Sequence, residues 1–260
     1  RTDGNKCDGY RNWNNSSGSD QVNQRLMKFS FRWVLLVTVT WVAGCSLGGN
    51  ATVIQFEEQE AGSEKYRTRV IITPEYMRLD DGEDSADFIL FDRKKRVIYS
   101  TSATDKRTLV IKWRAFNNAE PKDIKNRVET LKDTMPSIDG KSVTHLRLYS
   151  NDRQCYDLFA ARNLLPEAVK AMIEFQQTLA VEHADFMLNM PLQTASVCDR
   201  VNNVYRPARY LEYGFPVYAS DYLGRSRQLV DFKTDKRVDA GLFKLPDGFE
   251  EYNTQDMRAR

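Results

Sequence analysis

The chain has only two imidazoles, His145 and His183, and this limits the acid–base and metal chemistry on offer. His145 falls in a strand-like run and His183 in a helix-like one. Neither has a second ligand at a spacing that closes a metal site. The acidic run Asp80-Asp81-Gly82-Glu83-Asp84 lacks the alternating ligand positions of a calcium loop and reads as a solvated turn. There is no nucleophile elbow, phosphate-cradling glycine loop or dinucleotide fingerprint. No catalytic residue, metal ligand or cofactor is therefore expected, and the chain is expected not to be an enzyme. A Ser–His or carboxylate pair assembled only in three dimensions is the remaining route to one.

The cysteines carry more information. Four are present, Cys7, Cys45, Cys155 and Cys198. Met27-Lys28-Phe29-Ser30-Phe31-Arg32 supplies two cations, and Trp33–Val42 an apolar stretch of about ten residues, which is the three-part secretory pattern. A bilayer span needs about twenty residues, so a permanent transmembrane anchor fits less well. Val42-Ala43-Gly44-Cys45 closes the segment and resembles the bacterial lipobox: a branched apolar residue, two small residues, then the cysteine that takes lipid. Cleavage before Cys45 and lipid on its thiol would anchor the rest durably, since two or three acyl chains hold where one does not. Lipoprotein-processing and sorting machinery and the membrane are the partners that follow. Cys155 and Cys198 then remain in an oxidising compartment, where a disulfide is the default expectation and two buried thiols the alternative.

Residues 1–44 hold six of the 38 basic and three of the 36 acidic side chains, leaving 32 against 33 from Cys45 onward. A nucleic-acid partner would require a positive surplus, and none exists. The basic run Arg93-Lys94-Lys95-Arg96 lies between two strand-like segments and reads as a hairpin turn.

The elements that would position any site are mostly strands. Short β-rich runs follow one another from Val53 to Trp113, separated by turn signals such as Asp81-Gly82. Pro121–Asp133 fits either a helix or a strand. Val143–Tyr149 and Gln154–Ala160 suggest a hairpin across Asn151-Asp152. Pro166–Asn189 is the clearest helix, with Pro166 suited to a first helical position and Glu167 to the positive helix end. Met172, Phe175, Leu179 and Phe186 mark its apolar face, either as core packing or as the adaptable wall of a hydrophobic-ligand site. A short helix over Ala195–Tyr205 would carry Cys198. Strands return at Pro216–Ala219, Arg227–Lys233 and Leu242–Phe249. Residues 52–252 read as one domain, with a tether over 45–51 and a tail over 253–260.

Several segments together resemble a family of uncharacterised proteobacterial lipoproteins whose fold is similar to that of the periplasmic lipoprotein carriers. They include Thr73-Pro74-Glu75-Tyr76-Met77-Arg78-Leu79, Phe88-Ile89-Leu90-Phe91-Asp92-Arg93, Gln154-Cys155-Tyr156, Pro207-Ala208-Arg209-Tyr210 and Leu242-Phe243-Lys244-Leu245-Pro246. The resemblance implies an α+β fold: a strongly curved antiparallel sheet, an open half-barrel, with a long helix and a short helix packed on its concave side. It also implies a tethered binder of a lipid or other hydrophobic ligand. A module that docks another envelope protein, its interior filled by its own side chains, is the alternative. Ser46, where enteric inner-membrane lipoproteins carry aspartate, points to the outer membrane, on its periplasmic face.

Met27 opens a complete signal of ordinary length, and residues 1–26 would bury it behind a polar leader. Peptide mapping of the precursor is expected to find no peptide from residues 1–26; recovering one would sink the idea that Met27 is the initiator.

Overall fold

The computed structural model describes residues 49–83, 87–188 and 195–258. The expected leader 1–26, the signal segment 27–44 with Val42, Ala43 and Gly44, and the lipid-bearing Cys45 lie outside the described residues. Residues from Gly44 onward make a compact unit of their own, and its core lies wholly within it.

Alternating apolar residues and tight turns produce six successive strands: β1 (Asn50–Gln59), β2 (Tyr66–Ile72), β3 (Tyr76–Asp80), β4 (Phe88–Asp92), β5 (Val97–Ser102) and β6 (Arg107–Lys112). Each pairs antiparallel with the next. The ambiguous segment is a strand, β7 (Asn126–Ile138), which pairs antiparallel with β8 (Lys141–Ser150). Strand β9 (Arg153–Ala161) completes the expected hairpin across Asn151-Asp152, both of which take positive φ. Helix α1 (Pro166–Leu188), the short α2 (Val197–Arg200), β10 (Phe215–Asp221), β11 (Ser226–Arg237), β12 (Glu250–Tyr252) and α3 (Thr254–Arg258) follow. A π turn over Val201–Tyr205 and a 3₁₀ turn over Arg209–Tyr213 join α2 to β10.

The antiparallel half-barrel expected above is not what forms. The described strands make one open, mixed sheet of twelve, in the order β12-β6-β5-β4-β3-β2-β1-β11-β10-β9-β8-β7. The mixing comes from the tail. In place of the strand expected over Leu242–Phe249, the first residues form a 3₁₀ turn. There Leu242 and Phe243 pack on a small second cluster with Ala51, Val53, Ile71 and Val238, and Phe243 stacks on Tyr76 at 5.4 Å. The chain then crosses to the far edge, where β12 lies parallel to β6. Helix is confined to α1 and short pieces, so a balanced α+β description also overstates it. The short helix stops at Arg200, and the expected remainder to Tyr205 is the π turn.

A buried ion cluster fastens the tail. Asp80 accepts from Arg69 Nε and Nη2, both at 2.8 Å, from Arg78 Nε at 2.6 Å and from the Gly82 N–H at 3.1 Å. Arg78 Nη1 donates in turn to the Leu242 carbonyl at 2.7 Å. Burial pushes the Asp80 carboxyl up, but these hydrogen bonds outweigh it and hold the group below its ordinary value. Because the folded value lies below the unfolded one, the stabilisation is present above the ordinary carboxylate range and is lost as pH falls through the folded value.

At the other end of the domain, Cys155 on β9 and Cys198 on α2 form the expected disulfide, 43 residues apart, with Cα atoms at 5.3 Å. It ties α2 and the π turn to the sheet.

Two stability measurements follow. Asp80→Asn is expected to lower the unfolding free energy by about 3–5 kcal/mol in urea at neutral pH, because it removes the charge shared by the buried Arg78 and the partly buried Arg69. The difference from wild type should shrink in acid below the carboxylate range. Replacing Cys155 and Cys198 together by serine is expected to cost ~3–4 kcal/mol on a chain-entropy estimate. No loss would show that the bridge constrains little.

Candidate functional site

Helix α1 is buried on more than one side. At 100° per residue, Ala168, Ala171, Met172, Phe175 and Leu179 share one face. All five belong to the central core, the first four buried and Leu179 partly so. Phe175 meets Phe91 edge-on at 5.8 Å. The expected ligand face is thus core packing at Met172, Phe175 and Leu179. Phe186 continues the same face, but the core takes α1 residues only as far as Leu179, and Phe186 is 59% exposed. Much of the space under the sheet is filled by core side chains, and an opening of about 300 Å³ remains beside Tyr156, Leu179 and Tyr210.

A second stripe on α1 is largely covered, with Ala180 and Ala184 buried and Gln177 exposed. Ile173, Gln177, Ala180, Ala184 and Met187 fall at i, i+4, i+7, i+11 and i+14, within an arc of about 80°. They form the floor of two adjoining openings of about 580 and 470 Å³. One wall is the irregular segment that follows β6, with Trp113, Arg114 and Phe116. The other is the π turn and the residues after it, with Tyr205, Arg206 and Arg209. Arg114, Phe116 and Tyr205 line both openings, so the two read as one groove along the helix.

The groove combines apolar and aromatic surface with a local excess of cations. Five arginines line it (Arg96, Arg114, Arg200, Arg206 and Arg209) against two carboxylates, Asp185 and Glu212. Both carboxylates are engaged: Arg114 pairs with Asp185, and Arg206 Nη2 reaches the two Glu212 oxygens at 3.2 and 3.0 Å. Arg96 lies over the Trp113 ring at 4.3 Å and donates to Gln177 at 3.3 Å. In a domain that is nearly neutral from Cys45 onward, this is a concentrated positive field inside a partly apolar cleft.

The other openings carry less chemistry. One of about 890 Å³ lies at the start of α1, where Lys141, Lys233 and Lys236 are matched by Asp139, Glu167 and Asp235. Another, beside Tyr156 and Tyr210, pairs Arg225 with Asp221 and Arg227 with Glu58 and also holds Glu60. His183 lines that opening, and burial lowers its pKa. His145 is buried on β8 between two carboxylates, Asp133 at 3.1 Å and Asp157 at 2.5 Å, with its ring stacked on Phe159 at 4.0 Å. This cross-strand arrangement leaves neither ring nitrogen unengaged. Among the described residues no group of three or more His, Cys, Asp or Glu is placed to hold a metal ion.

Sequence reading finds the floor of the groove, since Ile173, Ala180, Ala184 and Met187 belong to the apolar face of the long helix, but misses its walls. Trp113 reads there as the end of a strand and Arg209 as part of a family segment. The available signal was local: Trp113-Arg114-Ala115-Phe116 alternates aromatic or apolar residues with a cation, and the chain after it has no strand or helix period until β7.

No family model matches the chain, and no curated protein matches it in sequence. Among solved structures, an uncharacterised conserved protein from Thermus thermophilus is 9% identical, with a TM-score of 0.40 over 79% of this chain and 91% of that one. MucB is 10% identical, with a TM-score of 0.37 over 79% of this chain and 60% of its own. A LolA superfamily protein from Nitrosomonas europaea is 10% identical, with a TM-score of 0.25 over 77% and 91%. The lipoprotein-family resemblance has no sequence-level match behind it. A likeness this shallow says nothing of ligand or activity, which must be read from the groove itself.

Proposed function

We propose that this is a cell-envelope protein that binds an amphiphile, a lipid or lipid-like molecule, in the groove along α1. The observation that carries the reading is the juxtaposition on one surface of the α1 stripe, three aromatic side chains and five guanidinium groups. Apolar lining with a few charged groups is the usual character of a small-molecule site. The ligand lies outside the sheet on this reading, because much of the interior is occupied by the core. The lipobox supports the place of action: lipid on Cys45 would tether the domain to the periplasmic face of the outer membrane. The largely packed interior and the exposure of Trp113 and Phe186 favour a second reading, a module that docks another envelope protein.

Trp113 distinguishes the two. It is the only tryptophan after Cys45, so emission from the domain starting at Ser46 reports on the groove alone. Titration with a bromine-labelled fatty acid is expected to quench most of that emission, because bromine quenches only at close contact. Unchanged emission with every bromine-labelled amphiphile tried would end the ligand reading in favour of the docking module.

A further inference from the structure

We infer that the groove selects amphiphiles with an anionic head, a carboxylate or phosphate, and that Arg209 is the residue that selects them. This rests on the groove being a ligand site, as proposed above. Arg209 lines the groove yet is only 3% exposed. Its Nη1 donates to Asn126 Oδ1 and Ser150 Oγ, both at 2.9 Å, which fixes the guanidinium in place. Its Nε and Nη2 are buried without a hydrogen-bond partner. Among the described residues no carboxylate lies within ion-pair distance of it. The nearest link to one is indirect: Asn126 also donates, through Nδ2, to Glu120 Oε1 at 2.7 Å.

A guanidinium stays protonated even when desolvated, so Arg209 is a fixed positive charge with little water around it and no ion pair to offset it. A buried charge in that condition is costly. An anion seated in the groove would offset the cost, and the low-dielectric walls would focus the field towards it. The other arginines suit the role less well. Arg206 and Arg114 are already neutralised by Glu212 and Asp185, Arg96 is held against Trp113 and Gln177, and Arg200, whose Nε is also buried without a partner, is more exposed than Arg209. Burial is the main influence on the Arg209 pKa and lowers it; Tyr156 acts against it, Arg206 with it, and Glu120 and Tyr213 against it, the net direction being down. A desolvated cation beside a second cation is an environment that a ligand anion would relieve.

The test compares bromine-labelled stearic acid with its neutral monoglyceride, read by Trp113 emission in the domain from Ser46. The acid is expected to bind about tenfold or more tightly, the range of a charge-assisted hydrogen bond. The preference should decline as salt is raised. Arg209→Gln is expected to abolish the preference, and Arg209→Lys, which keeps the charge without the fork, to retain part of it. Should Arg209→Gln fail to fold, the acid-to-ester ratio in the wild-type domain and its salt dependence still decide the matter. Equal affinity for acid and ester would overturn the assignment while leaving the groove as a ligand site. Quenching by neither would remove the groove reading itself. Displacement of the acid by inorganic phosphate at comparable concentration would show that a free anion suffices, and would overturn selection of an amphiphile head.

Discussion

The packing of one stripe of α1 against both halves of the sheet is the constraint on which the remaining architecture depends. In the sheet order β5 and β10 lie six places apart, yet α1 contacts both. Phe91 on β4 meets Phe175 from one flank. Tyr210 and Phe215 join the same core from the other. Without α1, the apolar faces of these strands would lie in water. Side chains that bury fully contribute roughly 1.5–3 kcal/mol each, and the stripe holds several. Once that face is committed, the neighbouring stripe is covered by the segment after β6 and the π turn, and the groove lies between them.

The groove is a consequence of how the rest of the chain covers α1. The sheet takes one side. On the other, the segment after β6 and the π turn line the same openings, each held by a different device. Arg114 pins the first to Asp185 on the helix. The disulfide pins the second to β9 through α2, and Ser196 and Asp199 close a capping box at the start of α2. A groove with one wall pinned to its floor and the other to β9 can hold its shape without a ligand, which reduces the ordering cost of binding.

Much of this architecture was legible in the sequence, and what escaped has physical causes. Strands β1 to β6, the β8–β9 hairpin and α1 follow from local periodicity and turn chemistry, which act over a few residues. The identity of β7 was undecidable locally because Ile124, Val128 and Leu131 satisfy a helical spacing while Val128–Leu131 also suits a strand. Pairing with β8 decides it. The parallel β12 was invisible because three residues carry no period, and their partner is 143 positions away at Arg107. The apolar stripe of α1 was legible as a stripe, yet periodicity cannot say whether a sheet or a ligand covers it. The arginines of the groove come from three separate stretches of chain, around residues 96, 114 and 200–209, so no short window of sequence contains them all.

The same reasoning bears on why a buried cation such as Arg209 would persist. As a structural group it is a poor choice: Nη1 is satisfied, but Nε and Nη2 are not, and an apolar side chain of similar volume would avoid that cost. The Asp80 cluster shows the contrast within this chain. There two arginines share one carboxylate, every contact is made by a charged or backbone donor, and the result fastens the tail. Arg209 has the burial of that cluster without its anion. If stability alone shaped the site, Glu120 would be expected to face the guanidinium directly and not through Asn126. A missing counter-charge beside an accessible groove is the arrangement suited to an anion that comes and goes, since a resident carboxylate would compete with it for the same donors.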